Sequence, residues 1–190
     1  MSRWEADSRG RLEQAALALY GERGFDNTTV AEIAARAGVT ERTFFRHFAD
    51  KREVLFPPEG SQYLQELLVG AVAAAPASLA PLDAIAAGLV AAGAPLQARR
   101  AGARQRAAII TATPELRERE LIKLTAWSAA LTDTLRQRGL GDAAARLTAE
   151  VAIAVFRIAF DRWIEDTADH DLSRFIRESL DQLKAVTAGA

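Results

Sequence analysis

The chain of 190 residues contains no cysteine. That absence excludes a disulfide framework, a thiolate zinc site and a cysteine nucleophile. Histidine is almost as scarce. His47 and His170 are the only two, far apart in sequence, which argues against a histidine-based metal site or catalytic triad. No apolar run reaches the roughly 18 residues of a membrane span. The N-terminal stretch "MSRWEADSRGR" is mixed in charge and lacks the apolar core of a secretion signal, so the chain reads as cytoplasmic. No Gly-x-Ser-x-Gly, phosphate-binding loop or metal-ligand spacing is present, which argues against an enzyme and against a cofactor. Formal net charge is −1, so the chain as a whole presents no bulk attraction for nucleic acid.

What is present is helical periodicity. Leu12, Ala15, Ala16, Leu19 and Tyr20 make one apolar face of a helix near Asp7 to Arg23. Gly24 is placed to end it in the left-handed conformation, with Phe25 packing back. Thr29 and Glu32 form a capping-box pattern that opens a second helix with Val30, Ile33, Ala34 and Ala37 inward. Gly38 ends that helix and Thr40 caps a third, in which Phe44 and Phe48 face inward. Asp50 and Glu53 repeat the capping pattern, which predicts a fourth helix over the following residues. Helix, glycine turn and short polar helix make a helix-turn-helix, whose second helix suits the major groove of DNA.

The stretch "GFDNTTVAEIAARAGVTERTFFRHFADKREVLF" resembles the DNA-binding domain of the TetR family of transcriptional regulators. The resemblance runs from about Leu12 to Phe56. It implies that the backbone of Thr29 and Val30 meets a phosphate, in keeping with the free N–H groups of a helix N-terminus. It makes Thr40 to Phe48 the recognition helix, with Thr40, Glu41, Arg42 and Thr43 in the first turn, where base edges are usually reached. Arg42 is the leading base reader, because its fork can donate twice to guanine. Thr43 is placed for a thymine methyl, and Arg46, His47 and Lys51 for phosphates. Two residues depart from the family pattern. Phe45 stands where many members have tyrosine, so its contact is apolar or absent. Glu41 stands where a neutral or basic residue is common; it either accepts from cytosine or complements the helix dipole. Acidic and basic residues match one for one through Glu53, so affinity for DNA must come from where charge is placed.

Beyond Phe56, Pro57 and Pro58 interrupt helical structure. This interruption reads equally as a hinge or as an ordinary kink or two short helices. The expected division is a helix-turn-helix domain over 1–56 and a helical regulatory and dimerisation domain over 57–190, all-α throughout. Successive helical segments end near Pro76, near Pro95, at Thr113-Pro114 and before Gly139, and a further one opens at Asp142. The last two helices carry more apolar surface than one core needs. Val151, Val155, Ile158, Ile176, Leu180 and Leu183 are the expected dimer interface, a homodimer being what the family resemblance implies. For a ligand pocket, Trp127 and Ser128 on one helix and Phe156 and Phe160 on the next are the candidates, with Arg106 and Thr111 from the preceding helix. The leading reading is a dimeric, double-stranded-DNA-binding regulator, a repressor released from a palindromic operator by a small apolar effector. The alternative is a helical protein-interaction module without regulated DNA binding.

Overall fold

The computed structural model describes residues 3–188, and among them every regular element is an α-helix. The order is α1 (Arg3–Arg23), α2 (Val30–Arg36), α3 (Glu41–His47), α4 (Pro58–Ala74), α5 (Pro81–Gln97), α6 (Arg100–Ala112), α7 (Pro114–Gln137), α8 (Asp142–Glu165) and α9 (Leu172–Ala188). No single helix among the described residues is long and apolar enough to cross a membrane. The chain forms two compact units. One comprises Met1–Ser61 with Gln105–Glu120, the other Gln62–Arg104 with Leu121–Ala190. The division expected at Phe56 did not assign 105–120 to the first unit.

In the first unit α1, α2 and α3 enclose a core of Leu12, Ala16, Leu19, Ile33, Phe44 and Phe48. Ile109, Ile110 and Leu116 complete it from the 105–120 segment. Each fully buried phenylalanine contributes roughly 1.5–3 kcal/mol. Gly24 and Gly38 lie at φ 83° and 68°, left-handed values that let the chain turn sharply after α1 and α2. The expected fourth helix opening at Asp50 does not form. Asp50 accepts from the N–H groups of Arg52 and Glu53, as a cap would. The bonds that follow run three residues back, from Leu55 to Arg52 and from Phe56 to Glu53, and a true helix begins only at Pro58. Pro58, having no N–H to satisfy, opens α4 and breaks nothing.

The second unit is a helical bundle in which α8 packs on α9 and α5, and α5 also packs on α9. Gly88 lets α5 approach α4 closely: a Cβ there would lie 2.6 Å from Val72 Cγ2 and 2.8 Å from the Leu68 carbonyl oxygen. The segment expected to end near Pro95 runs on as α5 to Gln97. Pro95 therefore lies inside the helix, in its last turn, where it removes one intrahelical N–H. Arg138 donates to the carbonyls of Val72, Ala75 and Pro76 and so caps the C-terminus of α4.

Candidate nucleic-acid interface

The short helix α3 is held by its ends and its inner face. The Thr40 hydroxyl accepts from the Thr43 N–H at 3.2 Å, which supplies the N-cap. Phe44 and Phe48 are fully buried and 5.4 Å apart. Everything else on α3 is directed outward or lies at the rim. Thr40, Arg42, Thr43, Phe45 and Arg46 line one open hollow, and Phe45 is 56% exposed. An apolar ring left in solvent beside two arginines suits a partner surface better than a core.

Charge placement separates α3 from its surroundings. Arg9 pairs with Glu59 and Glu13, Arg23 with Glu32, Arg36 with Glu22, and Arg52 with Asp50 and Glu115. Arg42 and Arg46 are exposed and make no ion pair among the described residues. A stretch whose charges match one for one through Glu53 therefore still presents, among the described residues, two guanidinium groups without an ion pair on one short helix. Glu41 is exposed at the start of the same helix, where a carboxylate complements the dipole.

At the start of α2 the capping box is formed. The Thr29 N–H donates to the Glu32 carboxylate at 2.9 Å, and the Glu32 N–H donates to the Thr29 hydroxyl at 3.2 Å. The Thr29 N–H is therefore spent inside the protein. The N–H groups available at this terminus are those of Val30 and Ala31, which have no carbonyl four residues back within the helix. Ala31 has no side-chain signature, so residue-type reasoning passed over it.

His47 Nε2 lies 2.8 Å from the hydroxyl of buried Ser8, which ties the end of α3 to α1. Lys51 differs from its expected place at a phosphate. Its ammonium donates to the carbonyls of Phe25 at 2.8 Å, Thr28 at 2.9 Å and Asp26 at 3.4 Å, and sits 4.3 Å from the centre of the Phe25 ring. All three ammonium hydrogens are thereby committed to the loop between α1 and α2. The Lys51 carbonyl in turn accepts from the Tyr20 hydroxyl at 2.6 Å. Burial, with the nearby Asp50 charge, holds the Tyr20 hydroxyl above its ordinary range and keeps it a donor.

The expected pocket residues are not gathered in one unit. Arg106 and Thr111 belong to the first unit. There Arg106 donates to the Leu55 carbonyl at 2.7 Å and to Glu120 at 2.8 Å, and covers the Phe56 ring; Thr111 is exposed. In the second unit Trp127 and Phe156 are buried with ring centres 5.8 Å apart, and Phe160 follows at 6.0 Å from Phe156. Ser128 neither bonds the carbonyl one turn back nor stands open. It donates to the Glu150 carboxylate at 2.7 Å.

The dimer candidates divide in the same way. Val155, Ile176 and Leu180 are buried within the unit, because the side of α8 bearing Val155 and the inner face of α9 meet each other and α5. Val151 and Leu183 are half-buried. Ile158 is 54% exposed, and Leu147, which was not singled out, is 67% exposed. Leu147, Val151, Ala154 and Ile158 follow a 4-3-4 spacing, which makes them a single outward stripe.

A buried three-helix core presenting a short, arginine-bearing second helix of a helix-turn-helix defines a DNA-binding protein. Residues 13–56 match the bacterial regulatory proteins of the tetR family, and residues 79–188 match the MftR C-terminal domain. The chain belongs to the TetR family of transcriptional regulators. It is 40% identical over 78 residues to the HTH-type transcriptional regulator TcmR of Streptomyces glaucescens, a match covering 41% of this chain and 34% of that one. It is 25% identical over 158 residues to the putative mycofactocin biosynthesis transcriptional regulator MftR of Mycobacterium tuberculosis, covering 82% and 79%. Among solved structures, the SmeT–triclosan complex shares the fold with a TM-score of 0.68 at 21% identity, covering 94% of this chain and 90% of that one.

Proposed function

We propose that this regulator acts as a homodimeric repressor, that α3 enters the major groove of a palindromic operator, and that a small apolar effector bound in the second unit releases the DNA. The observation that carries the reading is that Arg42 and Arg46 on α3 make no ion pair among the described residues, whereas Arg9, Arg23, Arg36 and Arg52 do. Arg42, in the first turn with Thr43, is the base reader. Arg46 and the N–H groups of Val30 and Ala31 take phosphates. Phe45 makes an apolar contact with the sugar–phosphate wall. His47 and Lys51 position this surface and do not touch DNA.

The stripe Leu147, Val151, Ala154 and Ile158 takes its counterpart from a second copy, since paired recognition helices then reach half-sites about one helical turn apart. SmeT, described as the repressor of a multidrug efflux pump and solved with triclosan, supports the repressor and apolar-effector parts of the reading. Release requires an effector with different affinity for the two conformations. A band-shift titration of the intact protein on a palindromic fragment of its own promoter, repeated at several salt concentrations, tests the reading. Binding should be specific and fall steeply with salt. Failure to prefer that fragment over unrelated DNA would overturn it.

A further inference from the structure

Among the described residues, two buried polar hydrogens in the second unit have no acceptor. The indole Nε1–H of fully buried Trp163 and the Nε–H of Arg100 are both sealed from solvent and unpartnered. Buried donors are nearly always satisfied, so two orphans in one place call for a reason. They belong to one cluster, because the Arg100 guanidinium carbon lies 5.4 Å from the centre of the Trp163 ring. The rest of the guanidinium is occupied. Its Nη2 donates to the carbonyls of Trp163 and Asp166, and Nη1 donates to Asp169 at 2.9 Å. Capping the C-terminus of α8 explains why an arginine stands here. It leaves Nε unexplained.

Trp163 is also the last ring of a row. Phe160 lies 5.6 Å from it, Phe156 lies 6.0 Å from Phe160, and Trp127 lies 5.8 Å from Phe156. The row is an aromatic strip inside the second unit, with buried hydrogen-bond donors at one end. That is the composition of a small-molecule site: apolar walls with few, placed polar groups.

Charge decides which acceptor fits. Arg100 already faces two carboxylates, Asp166 at 3.3 Å and Asp169 at 2.9 Å. Burial pushes the Asp166 carboxyl up, but hydrogen bonds from the His170 backbone and ring and from Arg100 outweigh it and hold the group well below the usual carboxylate range. Asp166 is therefore ionised, and an anionic ligand would add a further negative charge where the guanidinium is already compensated. A neutral oxygen accepts from both donors without that penalty.

We propose that Trp163 and Arg100 form the polar end of the effector site, with the row Trp127–Phe156–Phe160 as its wall, and that the effector class is an apolar ring compound carrying a neutral carbonyl oxygen. This rests on the reading that an apolar effector binds the second unit. The test uses the full chain with 15N-labelled indoles and three probes of one size. These are acetophenone, α-methylstyrene (a CH2 in place of the carbonyl oxygen) and benzoate. Acetophenone should move the Trp163 indole N–H downfield and bind about tenfold more tightly than α-methylstyrene, since the alkene leaves both donors unpaired. Trp163→Phe assigns the signal and should shrink the preference to below about threefold. Should that variant fail to fold, the ketone–alkene comparison in the unsubstituted chain decides alone. Equal binding of ketone and alkene, an unmoved Trp163 signal, tighter binding of benzoate, or no binding of any probe would overturn the site. The same probes are added to the promoter band shift. Release of DNA with an unmoved Trp163 signal removes this site and spares the effector reading. Carbonyl-selective binding without release does the reverse.

Discussion

The ammonium of Lys51 lies 2.8 Å from the carbonyl oxygen of Phe25 and 4.3 Å from the centre of its ring, so one side chain holds the loop between α1 and α2 through both a hydrogen bond and a cation–π contact. Lys51→Ala should destabilise the first unit by about 1–3 kcal/mol, from the lost charge-assisted bonds and the ring contact. The salt slope of DNA binding should stay unchanged. Chemical denaturation and a salt-titrated band shift measure the two effects separately. A stable variant whose slope falls by one charge would return Lys51 to the phosphates.

Arg42 and Arg46 of α3 should behave differently from each other. Arg42→Ala is expected to cost about 1–3 kcal/mol at the cognate site and to relax preference at one base pair. Arg46→Ala should weaken cognate and unrelated DNA alike and reduce the salt slope by about one. Selection from a randomised operator reads the first effect, and salt-dependent titration reads the second.

Burial separates two substitutions of the same chemistry in α8 and α9. Ile158 is 54% exposed, so Ile158→Asp should leave each protomer folded and give a monomer by light scattering at micromolar concentration. Leu180 is 2% exposed, and Leu180→Asp should unfold the second unit by placing an unpaired charge in its core. A folded dimer carrying Ile158→Asp would place the interface elsewhere.

Gly88 and Gly70 offer a paired test of helix packing. Alanine is the better helix former by about 1 kcal/mol. At Gly70 nothing lies within 4 Å of an added Cβ, so Gly70→Ala should raise thermal stability by up to that amount. At Gly88 the new carbon would press on the Leu68 carbonyl, which cannot rotate away. Overpacking of about 1–3 kcal/mol then outweighs propensity, and Gly88→Ala should melt at lower temperature.

Glu32 gives the first unit an acid-sensitive start to α2. Its carboxyl is held below the ordinary 4.5, first by the Thr29 backbone N–H, then by the Thr29 hydroxyl and by Arg23. A depressed folded value means that the unfolded chain binds the proton more readily. The cap is therefore fully effective above 4.5 and is lost as pH falls through that value and below it. Glu32→Gln should flatten the loss of stability in that acid window. An unchanged acid slope in this variant would show that other carboxylates govern it.

Much of the DNA-reading unit was legible in the chain because its signals are local. The Thr29–Glu32 box, the left-handed Gly24 and Gly38, and the inward pair Phe44 and Phe48 each depend on residues within one or two turns. The same reasoning failed where partners are distant in sequence. Asp50 carries cap chemistry, but the bonds that follow it run only three residues back, so it caps a turn. Lys51 is basic and lies just beyond the recognition helix, yet its ammonium is taken by carbonyls some 25 residues earlier.

Periodicity established that α8 has apolar residues around more than half its circumference, as the chain alone determines. Which of those residues stay outward was decided by the packing of α8 against α5 and α9, which buries Val155 and leaves Leu147 and Ile158 in solvent. Membership of 105–120 in the first unit, and the pairing of Arg9, Arg23, Arg36 and Arg52 with carboxylates, are likewise tertiary. The physical reason is the same in each case. A helical pattern specifies a face through contacts three and four residues apart, whereas the partner of that face, or of a long charged side chain, is set by whichever element the folded chain brings within a few ångströms.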